Sequence, residues 1–152
     1  MGDRKRRAQN REDWSPWLQK LNEVRQRSRE MGGPEKVERL MHQRGKLDVR
    51  QRIEHLFDPE TFAELGGLVG NKSDAPADGF VCGAGQINGR MALVGAEDFT
   101  FQAGSAGRGG GYKRYRLAEL ALREGLPLVW MLEGAGARIG KRTMITHNWR
   151  AE

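Results

Sequence analysis

Apolar positions recur at helical spacing up to residue 57, switch to strand-like runs between 80 and 99 and between 126 and 132, and lose all period at both ends. Ser15-Pro16 supplies an N-cap and a proline at the first helical position, and Leu18, Leu21 and Val24 continue the spacing until Gly32-Gly33-Pro34 stops it. Val37, Leu40 and Met41 share one face of a second helix over 35–44, closed by Gly45, which is free to take the left-handed cap. A third helix starts at Asp48, whose side chain can cap the following amides with Gln51 three residues on; Val49, Ile53, Leu56 and Phe57 form its buried stripe, and Asp58-Pro59 ends it. Residues 1–13 are charged and aperiodic, and are expected to be a disordered basic tail.

After Phe62 and Leu65 the helical period disappears, and residues 73–79 read as a polar loop. Strands are predicted over 80–87 and 90–99, joined by Asn88-Gly89, whose tolerance of positive φ suits a two-residue hairpin turn. Gly83 and Gly85 leave one face of the first strand nearly bare, so a close neighbour, a helix by expectation, should pack there. A glycine-rich stretch over 104–111 leads into a helix over 112–124 with Tyr115, Leu117, Leu120, Ala121 and Leu122 on its apolar face and Gly125 at its end. Pro127 then opens the run Leu128-Val129-Trp130-Met131-Leu132, too short for an independent helix and flanked by breakers, which predicts a strand covered on both faces. Strand, glycine loop, helix, strand and glycine loop in succession form an α/β crossover, expected to be right-handed. The last strand empties into Gly134-Ala135-Gly136-Ala137, where small residues let a ligand approach the main chain and where amides opening a helix would converge on an anion. Chemistry is expected at this point of the chain.

Composition narrows the classes. With 152 residues, 38% hydrophobic and 30% charged, the chain can bury one modest core and must spread its charge over helix faces. The net charge of +6 is compatible with a nucleic-acid partner, with the phosphates of CoA or a nucleotide, or with solubility alone. Cys82 is the single cysteine, which excludes an internal disulfide and a cysteine-based zinc site and reads as a structural thiol. His42, His55 and His147 lack metal-ligand spacing and read as surface residues. Residues 3–20 contain no apolar core of a signal peptide, and no later run approaches the roughly 18 residues of a membrane span, so a cytoplasmic protein is expected. Gly134, Gly136 and Gly140 imitate a dinucleotide loop, but the third glycine comes one residue too late; Gly140-Lys141 imitates a P-loop, but Ala135 and Arg142 replace its first glycine and its hydroxyl residue. The stretch Arg108-Gly109-Gly110-Gly111-Tyr112-Lys113-Arg114-Tyr115 offers a reading of another class, a basic nucleic-acid-binding module with interleaved aromatics. A nonfunctional fragment is a third reading.

His42-Gln43-Arg44-Gly45-Lys46-Leu47-Asp48-Val49-Arg50-Gln51-Arg52-Ile53, followed by Leu56-Phe57-Asp58-Pro59 and Phe62, resembles the N-terminal region of the carboxyltransferase (beta) subunits of biotin-dependent acyl-CoA carboxylases of the propionyl-CoA and methylcrotonyl-CoA type. Gly83-Ala84-Gly85-Gln86-Ile87-Asn88-Gly89-Arg90, Asp98-Phe99-Thr100, Gly104-Ser105 and Glu133-Gly134-Ala135-Gly136-Ala137-Arg138-Ile139 resemble successive landmarks of that family, so the resemblance covers residues 31–139. It implies an α/β fold, a partial crotonase-like ββα superhelix preceded by N-terminal helices. The implied organisation is a tail over 1–13, a helical segment over 14–59, an incomplete carboxyltransferase N-terminal domain over 60–139 and a divergent tail over 140–152. It further implies an acyl-CoA substrate carboxylated at its α-carbon by carboxybiotin, which rides on a biotinylated alpha subunit or carrier protein, with no covalently bound cofactor and no metal. Backbone amides of Gly136 and Ala137 would stabilise the thioester oxyanion; Gly104, Ser105, Gly134, Ala135 and Arg138 would contact the CoA ligand. The full-length family forms homo-oligomers; neither a membrane nor a nucleic acid is an implied partner. Two departures stand out: Gly134-Ala135-Gly136 replaces the family's usual serine and two glycines, and the family subunit is several times longer, with a second oxyanion-stabilising glycine pair. The chain alone is therefore expected to be inactive.

Overall fold

The computed structural model describes residues 2–70 and 77–137. Its centre is the antiparallel pair β2 (Phe80–Ile87) and β3 (Arg90–Glu97), in register from Phe80 opposite Glu97 to Ile87 opposite Arg90. Asn88 and Gly89 both have positive φ, 51° and 75°, so the predicted two-residue turn is present. Asp58 holds it from outside: its two carboxylate oxygens accept the amides of Asn88 and Gly89 at 3.0 and 2.8 Å.

Side chains alternate across this pair because successive strand residues face opposite ways. Val81, Ala92, Val94 and Ala96 pack under Val49, Ile53 and Phe57 of α3 (Val49–Leu56) and its C-cap, while Phe80, Cys82 and Leu93 pack under Leu117 of α4 (Arg108–Glu124). The result is three layers, helix on sheet on helix. Gly85 admits the Phe57 ring at the end of α3, as expected of a bare face, whereas Gly83 faces Phe62 and the carbonyl of Ala63, an extended segment where a helix was expected. That segment is β1 (Ala63–Leu65), antiparallel to β2.

The crossover is present: β4 (Leu128–Met131) pairs with β3 in parallel after α4. It forms the outer strand of the order β1-β2-β3-β4, and its residues are half-buried or exposed, so the expected cover on both faces is incomplete among the described residues. α4 starts four residues before the hydrophobic spacing suggested. Gly109 and Gly110 bring its first turn against Asp78, whose carboxylate accepts the Gly110 amide at 3.0 Å and satisfies one of the helix's orphan donors.

The N-terminal third contains the clearest correction. A single helix, α1 (Gly2–Arg29), runs through the stretch expected to be a disordered tail, and Pro16 lies inside it, so Ser15 is not its N-cap. Arginine, lysine, glutamine, glutamate and leucine are good helix formers, and that propensity outweighs the one donor lost at proline. α2 (Pro34–Leu40) and a single 3-10 turn (His42–Arg44) follow, ending at Gly45 in the left-handed conformation as the sequence indicated. Asp48 accepts the amides of Arg50 and Gln51 while Gln51 returns a bond to the Asp48 amide, a complete capping box. Arg138, Ile139, His147 and the tail over 140–152 lie outside the described residues.

Candidate functional site: two interlocked glycine loops

Parallel strands β3 and β4 end side by side, and the loops that leave them meet. Gly104, with a φ of 66°, sits so close to the second loop that a Cβ there would lie 2.7 Å from the Glu133 carbonyl oxygen and 3.0 Å from the Gly134 Cα. Gly134 is equally confined, its hypothetical Cβ falling 2.5 Å from Glu97 Oε2 and 2.7 Å from the Gly104 carbonyl oxygen. The Ala135 amide donates to Ala103 O at 2.9 Å and the Ala106 amide to Gly136 O at 2.8 Å, and Ala106 and Ala137 form a parallel bridge. Gly104, Ser105, Gly134, Ala135, Gly136 and Ala137, picked out separately in the sequence, are thus brought into one locus.

Their atoms are not equally available. The Ala135 amide is spent inside the protein, and the Ser105 hydroxyl donates to Gln102 O at 2.8 Å. The amides of Gly136 and Ala137 have no acceptor among the described residues. At Gly136, where φ is 87°, a Cβ would have no neighbour within 4 Å, so this stretch of main chain borders open space. No helix begins within 134–137; a bend at Gly136 and the bridge at Ala137 take its place.

Charged side chains outside the glycine motifs hold the locus in place. Glu97, at the end of β3, accepts the Glu133 amide at 2.8 Å and the Arg114 guanidinium at 2.7 Å, and Arg114 in turn stacks over the Phe80 ring with its centre 4.2 Å away. Glu133 binds Lys46 at 2.9 Å and also Arg52, tying β4's end to the segment around α3. Partial burial alone would raise the Glu133 pKa, but the hydrogen bonds from Lys46 and Arg52 outweigh it and hold the carboxyl below its ordinary range. Lys46 and Arg52 lie more than 80 positions from Glu133, so no local spacing announces the cluster.

An open cleft of about 560 Å³ lies against the second loop, with Arg44, Lys46, Phe99, Leu132, Gly134 and Gly136 among its lining residues. Its charges come from Arg44 and Lys46 and from Glu97 and Glu133, with Lys46 paired to Glu133, while Phe99 and Leu132 make part of it apolar, so Arg44 is the cation it offers beside an apolar surface. A smaller cavity of about 230 Å³ between β1 and α4 is remote from both loops, and the lysine beside it is committed: the Lys113 ammonium, buried by α4, donates to the carbonyls of Ala77 and Phe80, and burial lowers its pKa.

That lysine also removes the arginine-glycine reading of residues 108–115. Gly109, Gly110 and Lys113 are buried in α4 and Arg114 is engaged by Glu97, so the segment is a packed helix and not a free basic strand. His42 and His55 are exposed, His42 between Glu38 and Asp48. Among the described residues no group of three or more His, Cys, Asp or Glu could hold a metal ion, and no helix is long and apolar enough to cross a membrane.

A family profile described as the carboxyl transferase domain matches residues 40–150. The propionyl-CoA carboxylase beta chain of Cereibacter sphaeroides is 39% identical over 130 residues, covering 80% of this chain and 25% of that protein. Among solved structures, the transcarboxylase 12S hexamer with methylmalonyl-CoA and methylmalonic acid bound superposes with a TM-score of 0.73 at 36% identity, over 82% of this chain and 26% of that one. The beta subunit of P. aeruginosa geranyl-CoA carboxylase gives a TM-score of 0.77 at 31% identity, over 87% and 25%. These neighbours are crotonase-fold carboxyltransferases, and the helix-sheet-helix body described above is a part of that fold. The chain spans about a quarter of the length of the relatives it matches.

Proposed function

The chain belongs to the carboxyl transferase domain family, and from that membership together with the geometry of the two loops we propose that it forms part of an acyl-CoA carboxyltransferase site. The observation that carries the reading is the pair of Gly136 and Ala137 amides, left without an acceptor among the described residues where interlocked loops border an open cleft. Two adjacent main-chain donors suit the thioester oxygen of an acyl-CoA, on which negative charge develops when the α-carbon becomes nucleophilic, and they stabilise that charge without moving a proton. A fixed donor is useful only if it does not relax, and Glu97, Ala103 and Ala106 fix the loop on either side. Gly136 leaves the approach clear, and Arg44, among the residues lining the cleft, supplies positive charge for the phosphates of CoA.

Carboxybiotin, presented by a separate biotinylated subunit or carrier, supplies the carboxyl group. This chain's contribution is to bind and orient the acyl-CoA and to hold the oxyanion. The missing serine at position 134 does not disturb that role, because the donors are backbone groups and the residue at 134 must be glycine to fit beside Glu97.

Calorimetric titration of the full chain with propionyl-CoA, CoA and propionate tests the reading. Saturable binding of propionyl-CoA, weaker binding of CoA and none of propionate is the expected result. Absence of heat with propionyl-CoA from a chain that is folded by circular dichroism would overturn it.

A further inference from the structure

We propose that the left-handed turn Gln102-Ala103-Gly104 aims the second glycine loop, with Ala103 as a positioning residue whose narrow choice of backbone angles holds its carbonyl on the Ala135 amide. Positive φ runs over these three residues in succession, at 48°, 52° and 66°, the longest such run among the described residues, and only the third is a glycine. Residues that carry a Cβ enter this region as single positions, because the Cβ then crowds the following carbonyl. A backbone strained in this way persists only where its surroundings fix it. Here they do. The Gly104 amide donates to Phe101 O at 3.0 Å, the Ser105 amide and hydroxyl both donate to Gln102 O, at 3.1 and 2.8 Å, and Gly104 is wedged against the Glu133 carbonyl.

What the turn delivers is a hydrogen bond to the other loop. Ala103 O accepts the Ala135 amide at 2.9 Å, and the Ala106 amide donates to Gly136 O at 2.8 Å. Ala135 and Gly136 are thus gripped by main chain on either side of the turn's end, and the direction of the Ala103 carbonyl sets where the amides of Gly136 and Ala137 point. That direction follows from the backbone angles of Ala103. At φ 52° and ψ 37° it occupies the small left-handed well, which confines an alanine for as long as the neighbouring bonds keep φ positive. Glycine would enter the same well without steric strain, but it would also roam the wide region around it. Ease and aim therefore oppose each other at position 103, and alanine favours aim. The turn's bearing on a ligand rests on the oxyanion role proposed above for Gly136 and Ala137.

Ala103→Gly in the full chain separates the two. It should raise the folding equilibrium constant by about 10-fold, the scale of relieving one left-handed residue that carries a side chain. The Ala135 amide should nevertheless exchange with solvent about 10-fold faster, a local loosening opposite in sign to the global change. Propionyl-CoA should bind about 10-fold more weakly by calorimetry, because the donors are less well preorganised. A turn with a merely structural role would move stability, protection and binding in the same direction. Glu60→Gly is the control: Glu60 is exposed at a φ of 62° outside both loops, so its replacement should raise stability while Ala135 exchanges no faster and binding is unchanged. An Ala103→Gly chain no more stable than the parent, or one whose Ala135 amide exchanges no faster, overturns the proposal. So does faster exchange with undiminished binding. If the parent binds no propionyl-CoA, the proposed function falls, and stability and exchange still decide the role of the turn.

Discussion

Gly89 and Gly134 are glycines for different reasons, and substitution separates them. At Gly89 a Cβ would meet nothing within 4 Å, so the only cost of a side chain is the positive φ of 75°. Gly89→Val should therefore lower stability by about 1 to 3 kcal/mol in chemical denaturation; an unchanged midpoint would mean that the turn tolerates a different backbone. At Gly134 the obstacle is contact with Glu97 and the Gly104 carbonyl, so Gly134→Ala must push the two loops apart. The same carboxylate anchors the Glu133 amide, so displacing it should abolish acyl-CoA binding while leaving most of the three-layer core folded. Only the first requirement is visible in the sequence, where Asn88-Gly89 between two strand-like runs marks a turn, whereas Gly134 is one small residue in a run of small residues. The hairpin turn was legible because its conformational demand is local; the crowding at 134 was not, because its cause comes from residue 97.

Glu133 gives a pH test. Its folded pKa lies below the ordinary value of 4.5, so its pairing with Lys46 and Arg52 stabilises the fold fully above that value, and the contribution is lost as pH falls through the folded pKa. Glu133→Gln should flatten the part of the acid limb that this group supplies. Asp98 works in the opposite direction: burial raises its pKa despite the hydrogen bonds from Thr100, so only the difference between the variant and the parent isolates Glu133.

At the scale of elements, α3 is the best specified. Its capping box, its apolar stripe and its Asp58-Pro59 stop are all local, and the structure has each of them. The cap also shapes a titration. His42 hydrogen-bonds the Asp48 carboxylate at 3.2 Å and meets Glu38 at 3.4 Å, which together raise its pKa above 6.5. The stabilisation from this pairing is fully present below that value and disappears as pH rises through the folded pKa. Asp48→Asn keeps a competent cap but removes the charge, so the His42 midpoint followed by NMR should move down while α3 persists; an unmoved midpoint would assign the shift to Glu38. α1 stands at the other extreme. Its interior proline and charged first turns match the local signals for a helix start and a tail, and only the summed propensity of the whole stretch favours one helix.

For the whole molecule, the layer order follows from patterns that a sequence carries openly: alternation in β2 and β3, a helical face in α4, and a parallel return through β4. The order of motifs likewise made the family legible, and the match over residues 40–150 bears it out. The site was legible only in outline. Small residues marked where a ligand could approach, but which amides are spent depends on pairings such as Ala135 with Ala103 and Ala106 with Gly136, which join residues some 30 positions apart. The charges that brace the loop are more distant still. Lys46, Arg52, Glu97 and Arg114 belong to segments whose local patterns speak only of solvent-facing helices and strand ends.

The most direct test places residues 104–137 of this chain into the matching stretch of the propionyl-CoA carboxylase beta chain of Cereibacter sphaeroides, 39% identical to it, and measures carboxyl transfer before and after Gly136→Val. The chimera should transfer, and the valine, strained at the positive φ of 87° although no neighbour crowds it, should turn the amide away and cut transfer by about 100-fold or more, the scale of losing one oxyanion donor, with circular dichroism still that of the folded chimera. Full transfer in the folded Gly136→Val chimera, or none in the folded parent chimera, would contradict a role for these loops in holding the thioester oxygen.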